Sequence, residues 1–134
     1  MADLQMLDTS VCVALLRAAS KRLTPTQSRR PIAGACISSI VLAELQAGAH
    51  KSHRPAFHHA LIEAFTAGVP VRPFDTAAAR AYGEIRADLE ARGTPIGPLD
   101  ILIAAHARSL GAILHTDNAT EFKRVQGLKC QAWS

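Results

Sequence analysis

The sequence predicts an α/β domain in which helices flank a central parallel sheet. Short apolar runs with the character of strands alternate along the chain with longer segments of helical periodicity. Apolar residues make up 49% of the chain and charged residues only 19%, which favours a compact core and excludes a disordered chain. No repeat, low-complexity tract or linker divides the sequence. Residues 1–134 are therefore expected to form a single domain.

The first elements are a strand, a helix and a loop. The apolar run LQML predicts a first strand that ends at Asp8. The segment SVCVALLRAAS then predicts a helix with Thr9 or Ser10 as its N-cap, because a hydroxyl oxygen can accept from the unpaired N–H groups of a first turn. The segment KRLTPTQSRRPIAG is polar, basic and contains proline, which predicts a loop.

Three more elements follow in the middle of the chain. The run ACISSI predicts a second strand, after which Ser38 or Ser39 caps the helix IVLAELQAGA that ends near Gly48. The segment RPAFHHALIEAFTAG predicts another helix, because its large apolar residues recur at helical spacing. The run VPVRPF predicts a brief strand.

The C-terminal half continues the alternation. Asp75 is the predicted N-cap of the helix in DTAAARAYGEIRADLEARG, and Gly93 ends that helix. The segment GPLDILIAAHARSLG predicts a helix with Pro98 in its first turn and Gly111 as its terminator. A strand in AILHT, a short helix in NATEFKRV and a last strand in LKCQAW complete the pattern.

Composition and charge limit the classes of protein. The three cysteines are widely spaced without a CxxC pair, so a zinc ribbon or a disulfide scaffold is not expected. No apolar run is long enough to span a membrane, and the acidic N-terminus is unlike a signal peptide, so we expect a cytoplasmic protein without membrane association.

The net charge of +4 is unevenly distributed. Glu44 is the one acid between Asp8 and Glu63, whereas the same stretch contains four histidines and several lysines and arginines. These basic residues are Arg17, Lys21, Arg22, Arg29, Arg30, Lys51 and Arg54. A polyanionic partner and a basic surface without a dedicated ligand both fit this distribution.

Several acids fall where predicted strands pass into helices: Asp8, Glu44, Asp100, Asp117 and Glu121. Each also fits a helix cap or a favourable charge at a helix N-terminus. In a parallel sheet, however, these positions lie along the edge where ligands bind. Clustered carboxylates take up protons or bind a cation, and all-oxygen ligation suits Mg²⁺ or Mn²⁺. Beside a basic surface, this predicts hydrolysis of phosphodiesters by metal-activated water.

Four segments together resemble a known family. MLDTSVCVALL, SSIVLAELQAGAHKS, VRPFDTAAARAYGEIRADLEARGTPIGPLDILIAAHA and GAILHTDNATEFKRVQGLKCQAW resemble, in order and over nearly the whole chain, the PIN-domain ribonucleases of the VapC type. These are the toxins of bacterial type II toxin–antitoxin pairs. The resemblance implies a parallel sheet of four to five strands, Mg²⁺-dependent endonucleolytic cleavage of RNA with Mn²⁺ as a plausible substitute, a cognate antitoxin, and a homodimer that can join a higher toxin–antitoxin assembly.

The resemblance also implies roles for individual residues. Asp8 and Asp100 match acids that bind the metal, and Glu44 matches a further acid of the site. Thr9, Ser10 and Thr116 match positions that orient the first acid or the substrate phosphate.

The fourth acidic position departs from the family pattern. The family often has Thr-Asn-Asp or Thr-Asn-Asn there, whereas this chain has Thr116-Asp117-Asn118, followed by Glu121. Whether Asp117, Asn118 or Glu121 completes the site is left open by the sequence.

Two other functions are compatible with parts of the pattern. The departure at Asn118 allows a catalytically impaired PIN-like module that only binds RNA. An acid cluster on an α/β fold also occurs in phospho-acceptor signalling domains, but neither late lysine, Lys123 or Lys129, directly follows a predicted strand. His106 is predicted to be a packed, hydrogen-bonded histidine rather than a general base.

Overall fold

The computed structural model describes residues 3–21 and 33–133. The strands of these residues are β1 (Gln5–Leu7), β2 (Ala35–Ser38), β3 (Val71–Arg72), β4 (Ile113–Thr116) and β5 (Lys129–Ala132). Their helices are α1 (Thr9–Lys21), α2 (Ser39–Lys51), α3 (Pro55–Gly68), α4 (Thr76–Ala91), α5 (Pro98–Leu110) and α6 (Ala119–Phe122). Most of the loop predicted for 21–34 lies outside the described residues.

The five strands form one parallel sheet in the order β3-β2-β1-β4-β5. This confirms the predicted fold class. The chain first builds the sheet outward from β1 through β2 to β3, and then returns to the other side of β1 with β4 and β5. The strand order therefore reverses between β1 and β4. In sheets of this kind, ligands bind beyond the carboxyl ends of the strands at such a reversal.

The core consists of the inner sheet strands and the helices packed on them. Met6, Leu7, Ile37 and Leu114 from β1, β2 and β4 are completely buried. Every residue of α5 from 103 to 107 is also buried, which explains why this helix is apolar on nearly all sides. None of the described helices is long and apolar enough to cross a membrane.

Most predicted helix ends are confirmed. Asp75 caps α4 by accepting from the backbone N–H of Ala78 at 3.0 Å. Pro98 is the first residue of α5, and Gly111 ends that helix with a φ of +64°, a conformation that glycine adopts without strain. Ser38 is the N-cap of α2, and Ser39 is already part of the helix. The predicted end of α2 near Gly48 is wrong, because Gly48 stays helical and the helix continues to Lys51.

The predicted cap of α1 is wrong. Thr9 is the first helical residue, and the Oδ1 atom of Asp8 accepts from the backbone N–H of Val11 at 2.9 Å. The helix begins one residue earlier than expected because β1 passes directly into it. Aspartate is as good an N-cap as serine. The structural interpretation of Asp8 as a cap is thus confirmed, which leaves open a second role for the same carboxylate.

Candidate active site

Asp8 is buried at the carboxyl end of β1, with only 3% of its surface exposed. Its Oδ1 atom accepts from the Ser10 hydroxyl at 2.6 Å and from the Val11 N–H at 2.9 Å. Its Oδ2 atom takes no part in either of these bonds. The Asp8 carboxylate is therefore held in a fixed orientation at the strand reversal.

Ser10 connects the ends of the two central strands. Its hydroxyl donates to Asp8 after β1 and accepts from the backbone N–H of Asp117 after β4, at 3.1 Å. In this geometry the side chain orients the first acid. Asp117 itself is exposed at the rim.

Thr9 and Glu44 form a contact that the sequence did not indicate. The Thr9 hydroxyl donates to Oε1 of Glu44 at 2.7 Å, so the first residue of α1 holds a carboxylate from α2. The two residues are 35 positions apart in the chain, and only the fold brings them together. Glu44 is partly buried and faces the same region as Asp8.

Asp100 lies in the first turn of α5 and is partly buried. Burial and the negative charges of Asp8, Glu44 and Glu121 together raise the pKa of Asp100 to about 6. Acids from four separate segments therefore act on one another at this edge of the sheet. We call Asp8, Glu44, Asp100 and Glu121 the acidic cluster.

The segment after β4 brings Glu121 into this cluster through a tight turn. The backbone N–H of Asn118 donates to the Thr116 hydroxyl at 2.8 Å, and the Asn118 amide donates to Oε2 of Glu121 at 2.7 Å. Thr116 is completely buried, so its hydroxyl shapes the turn and does not face a substrate directly. Asn118 in turn holds the carboxylate of Glu121.

The acidic cluster is not a closed metal cage. Within residues 3–21 and 33–133, no group of three or more histidine, cysteine, aspartate or glutamate side chains is arranged to hold a metal ion as it stands. Such a cage is not what Mg²⁺ requires, because this ion keeps several waters and is usually bound through one or two carboxylates together with substrate phosphates. The oxygen donors of Asp8 and Asp100 fit that mode of binding.

The basic residues that the structure describes are on the surface. Arg17 and Lys21 on α1 are exposed, and so are Lys51 and Arg54 near the connection between α2 and α3. Arg22, Arg29 and Arg30 lie outside the described residues.

The chain is similar to proteins of one family over nearly its whole length. The model of the PIN domain family matches residues 6–128. The tRNA(fMet)-specific endonuclease VapC of Shigella flexneri is 42% identical over 133 residues, which cover 96% of this chain and 97% of that protein.

Solved structures agree with this assignment. VapBC2 from Rickettsia felis, bound to a DNA fragment from their promoter, matches with a TM-score of 0.87 at 34% identity, covering 98% of this chain and 99% of that one. DNA-bound VapBC from Salmonella typhimurium matches with a TM-score of 0.84 at 39% identity, covering 99% and 100%. The chain therefore belongs to the PIN domain family and, within it, to the VapC ribonucleases.

Proposed function

We propose that this protein is a Mg²⁺-dependent endoribonuclease that hydrolyses RNA phosphodiester bonds as the toxin of a toxin–antitoxin pair. Asp8 and Asp100 hold the metal ion, and Mn²⁺ can replace it. The observation that carries the proposal is that the acidic cluster gathers carboxylates from four separate segments beyond the carboxyl ends of the strands; burial and the charges of the other three acids raise the pKa of Asp100 there. A divalent cation would offset this repulsion.

Each acid has a defined support in the chain. Ser10 and the N-terminus of α1 orient Asp8, while Thr9 holds Glu44 and Asn118 holds Glu121. When bound, Mg²⁺ supplies Lewis-acid activation of a water molecule and stabilises negative charge at the attacked phosphate. The exposed basic residues hold the flanking phosphates of the RNA electrostatically.

The relatives provide the basis for proposing a substrate and a partner. The Shigella flexneri protein is named as specific for tRNA(fMet), and the related solved structures are VapBC complexes. We propose that this chain also cleaves an RNA, with initiator tRNA as the first substrate to test, and that an antitoxin binds it. We further propose that it forms a homodimer and acts in the cytoplasm.

Cleavage by purified protein tests the proposal. We expect initiator tRNA to be cut with Mg²⁺, left intact with EDTA, and cut again when Mn²⁺ is added in excess. Asp8→Asn protein purified in parallel controls for a contaminating ribonuclease, and Glu63→Gln removes an exposed acid on α3 as a charge-matched control that should cleave normally. Equal cleavage in EDTA and Mg²⁺ would contradict metal-dependent hydrolysis.

The alternative function is an RNA-binding module without catalysis. Asn118 favours it, because a neutral amide at the fourth acidic position is a weaker metal ligand than a carboxylate. That alternative predicts salt-sensitive RNA binding that persists in EDTA, with no cleavage in Mg²⁺. Measuring binding and cleavage in the same samples separates the two functions.

Glu121, and not Asp117, is expected to complete the site. Glu121→Gln removes a charge that acts on Asp100 and keeps an oxygen that can accept from Asn118. We expect this variant to bind Mn²⁺ about tenfold more weakly by calorimetry, whereas Asp117→Asn should change the affinity by less than about threefold. A larger loss of Mn²⁺ affinity in Asp117→Asn than in Glu121→Gln would instead indicate that Asp117 is the fourth ligand.

A further inference from the structure

His106 is a buried side chain to which the proposed mechanism gives no role. It lies on α5, six residues after Asp100, and only 1% of its surface is exposed. Its Nδ1 atom lies 2.7 Å from the hydroxyl oxygen of Ser38, at the end of β2. Ser38 is completely buried, so this contact is inside the protein and not on its surface.

The Ser38 hydroxyl links the start of α2 to the imidazole. Its oxygen accepts from the backbone N–H of Ile40 at 3.1 Å and so caps α2. The hydroxyl has one proton and a second lone pair, so the contact with Nδ1 of His106 forms with either neutral tautomer of the ring. Burial lowers the pKa of His106 and favours the neutral ring.

The surroundings of the ring hold it in place. The Phe74 ring meets the imidazole edge-on, with 5.5 Å between the ring centroids. The backbone N–H of Phe74 donates to the Ser39 hydroxyl at 3.0 Å, so the segment before α4 is tied to the start of α2 as well. Of the charged groups nearby, Asp75 raises the pKa of His106 and Arg72 lowers it.

We infer that His106 is a positioning residue that holds the start of α2 against α5 and thereby sets the place of Glu44 relative to Asp100. Glu44 lies six residues after Ser38, and Asp100 lies six residues before His106. Each acid is thus about 9 Å along its helix from the Ser38–His106 hydrogen bond. The two helices also pack on each other. This inference rests on the proposed function, because it concerns the acids of the proposed metal site.

Loss of this hydrogen bond should weaken metal binding without removing a ligand. A leucine at 106 fills much of the space but cannot accept a hydrogen bond, whereas the Oδ1 atom of asparagine can take the place of Nδ1. We expect His106→Leu to bind Mn²⁺ about tenfold more weakly and to lose about tenfold in kcat, with the KM for RNA changed by less than about twofold. His106→Asn should restore the Mn²⁺ affinity to within about threefold of the wild type.

The rescue separates positioning from mere packing. Asparagine is smaller than histidine and leaves a cavity, so a purely structural role predicts that His106→Asn is at least as impaired as His106→Leu. Calorimetry with Mn²⁺ and thermal unfolding of each full-length variant measure affinity and stability independently. ¹⁵N NMR of the wild-type imidazole at about pH 7 should show the neutral form of the ring.

Two results would overturn the inference. They are wild-type Mn²⁺ affinity in His106→Leu and equal impairment of the leucine and asparagine variants. If the wild type itself binds no Mn²⁺, the proposed function fails and the inference fails with it. If the wild type binds Mn²⁺ and His106→Leu binds it equally well, only the inference fails.

Discussion

Replacing Asp100 by asparagine is expected to stabilise the folded protein at neutral pH while removing its RNA cleavage. In the absence of metal ions, the ionised carboxylate is held near three other acids and partly out of water. Asparagine has nearly the same shape without the charge, so it relieves the repulsion. Asp100 would thus be a residue that lowers stability for the sake of function.

The pH dependence of this stabilisation has a definite sign. The pKa of Asp100 is raised from 3.8 to about 6 in the folded protein, so the folded state binds this proton more tightly than the unfolded chain does. The favourable contribution of the protonated group is fully present below pH 3.8 and is lost as the pH rises through about 6. The full shift corresponds to at most about 3 kcal/mol, and partial exposure reduces our expectation to about 1–2 kcal/mol.

Urea unfolding in EDTA measures this difference. At about pH 8, Asp100→Asn should be more stable than the wild type by about 1–2 kcal/mol, and at about pH 4 the two proteins should be nearly equal. Added Mg²⁺ should stabilise the wild type and have little effect on the variant. Cleavage should fall by at least about a hundredfold, because a metal ligand contributes several kcal/mol to the transition state. A variant that is less stable at about pH 8, or that cleaves RNA normally, would contradict the assignment of Asp100.

The architecture could be predicted from the sequence because its signals are local. The alternation of apolar runs and helical segments, and end signals such as Asp75 and Gly111, depend on residues close together in the chain. The position of Asp8 at the carboxyl edge of the sheet followed from the fold class alone, since all parallel strands end on the same side. Asp100 follows the loop after α4 and not a strand, so its place in the cluster followed from the resemblance to the family.

The partners of those acids could not be predicted, because they depend on side chains far apart in sequence. The contact between Thr9 and Glu44 spans 35 positions, and that between Ser38 and His106 spans 68. A serine or threonine hydroxyl has no sequence signature that distinguishes a cap from an acid-orienting group. The mistaken cap of α1 has the same origin, because Asp8, Thr9 and Ser10 are all good N-caps by residue type.

The two substitutions of Asp8 should have different effects on folding and the same effect on cleavage. Asp8→Asn keeps an oxygen that can accept from Ser10 and from the N–H of Val11, and asparagine is an equally good N-cap. We therefore expect its stability to change by less than about 1 kcal/mol. Because the charge that binds the metal is lost, cleavage should fall by at least about a hundredfold.

Asp8→Ala removes the cap and leaves the buried N–H of Val11 and the partly buried hydroxyl of Ser10 without their acceptor. We expect a loss of about 2–4 kcal/mol, the sum of a lost cap and an unsatisfied buried group. Urea unfolding combined with single-turnover cleavage under conditions where both variants are folded measures the two effects separately. If Asp8→Asn cleaved RNA as well as the wild type, Asp8 would be only a helix cap. If it were instead as unstable as Asp8→Ala, the loss of cleavage would be explained by misfolding. The expected combination of near-normal stability and absent cleavage can arise only if the charge of Asp8 has a function that its hydrogen bonds do not provide.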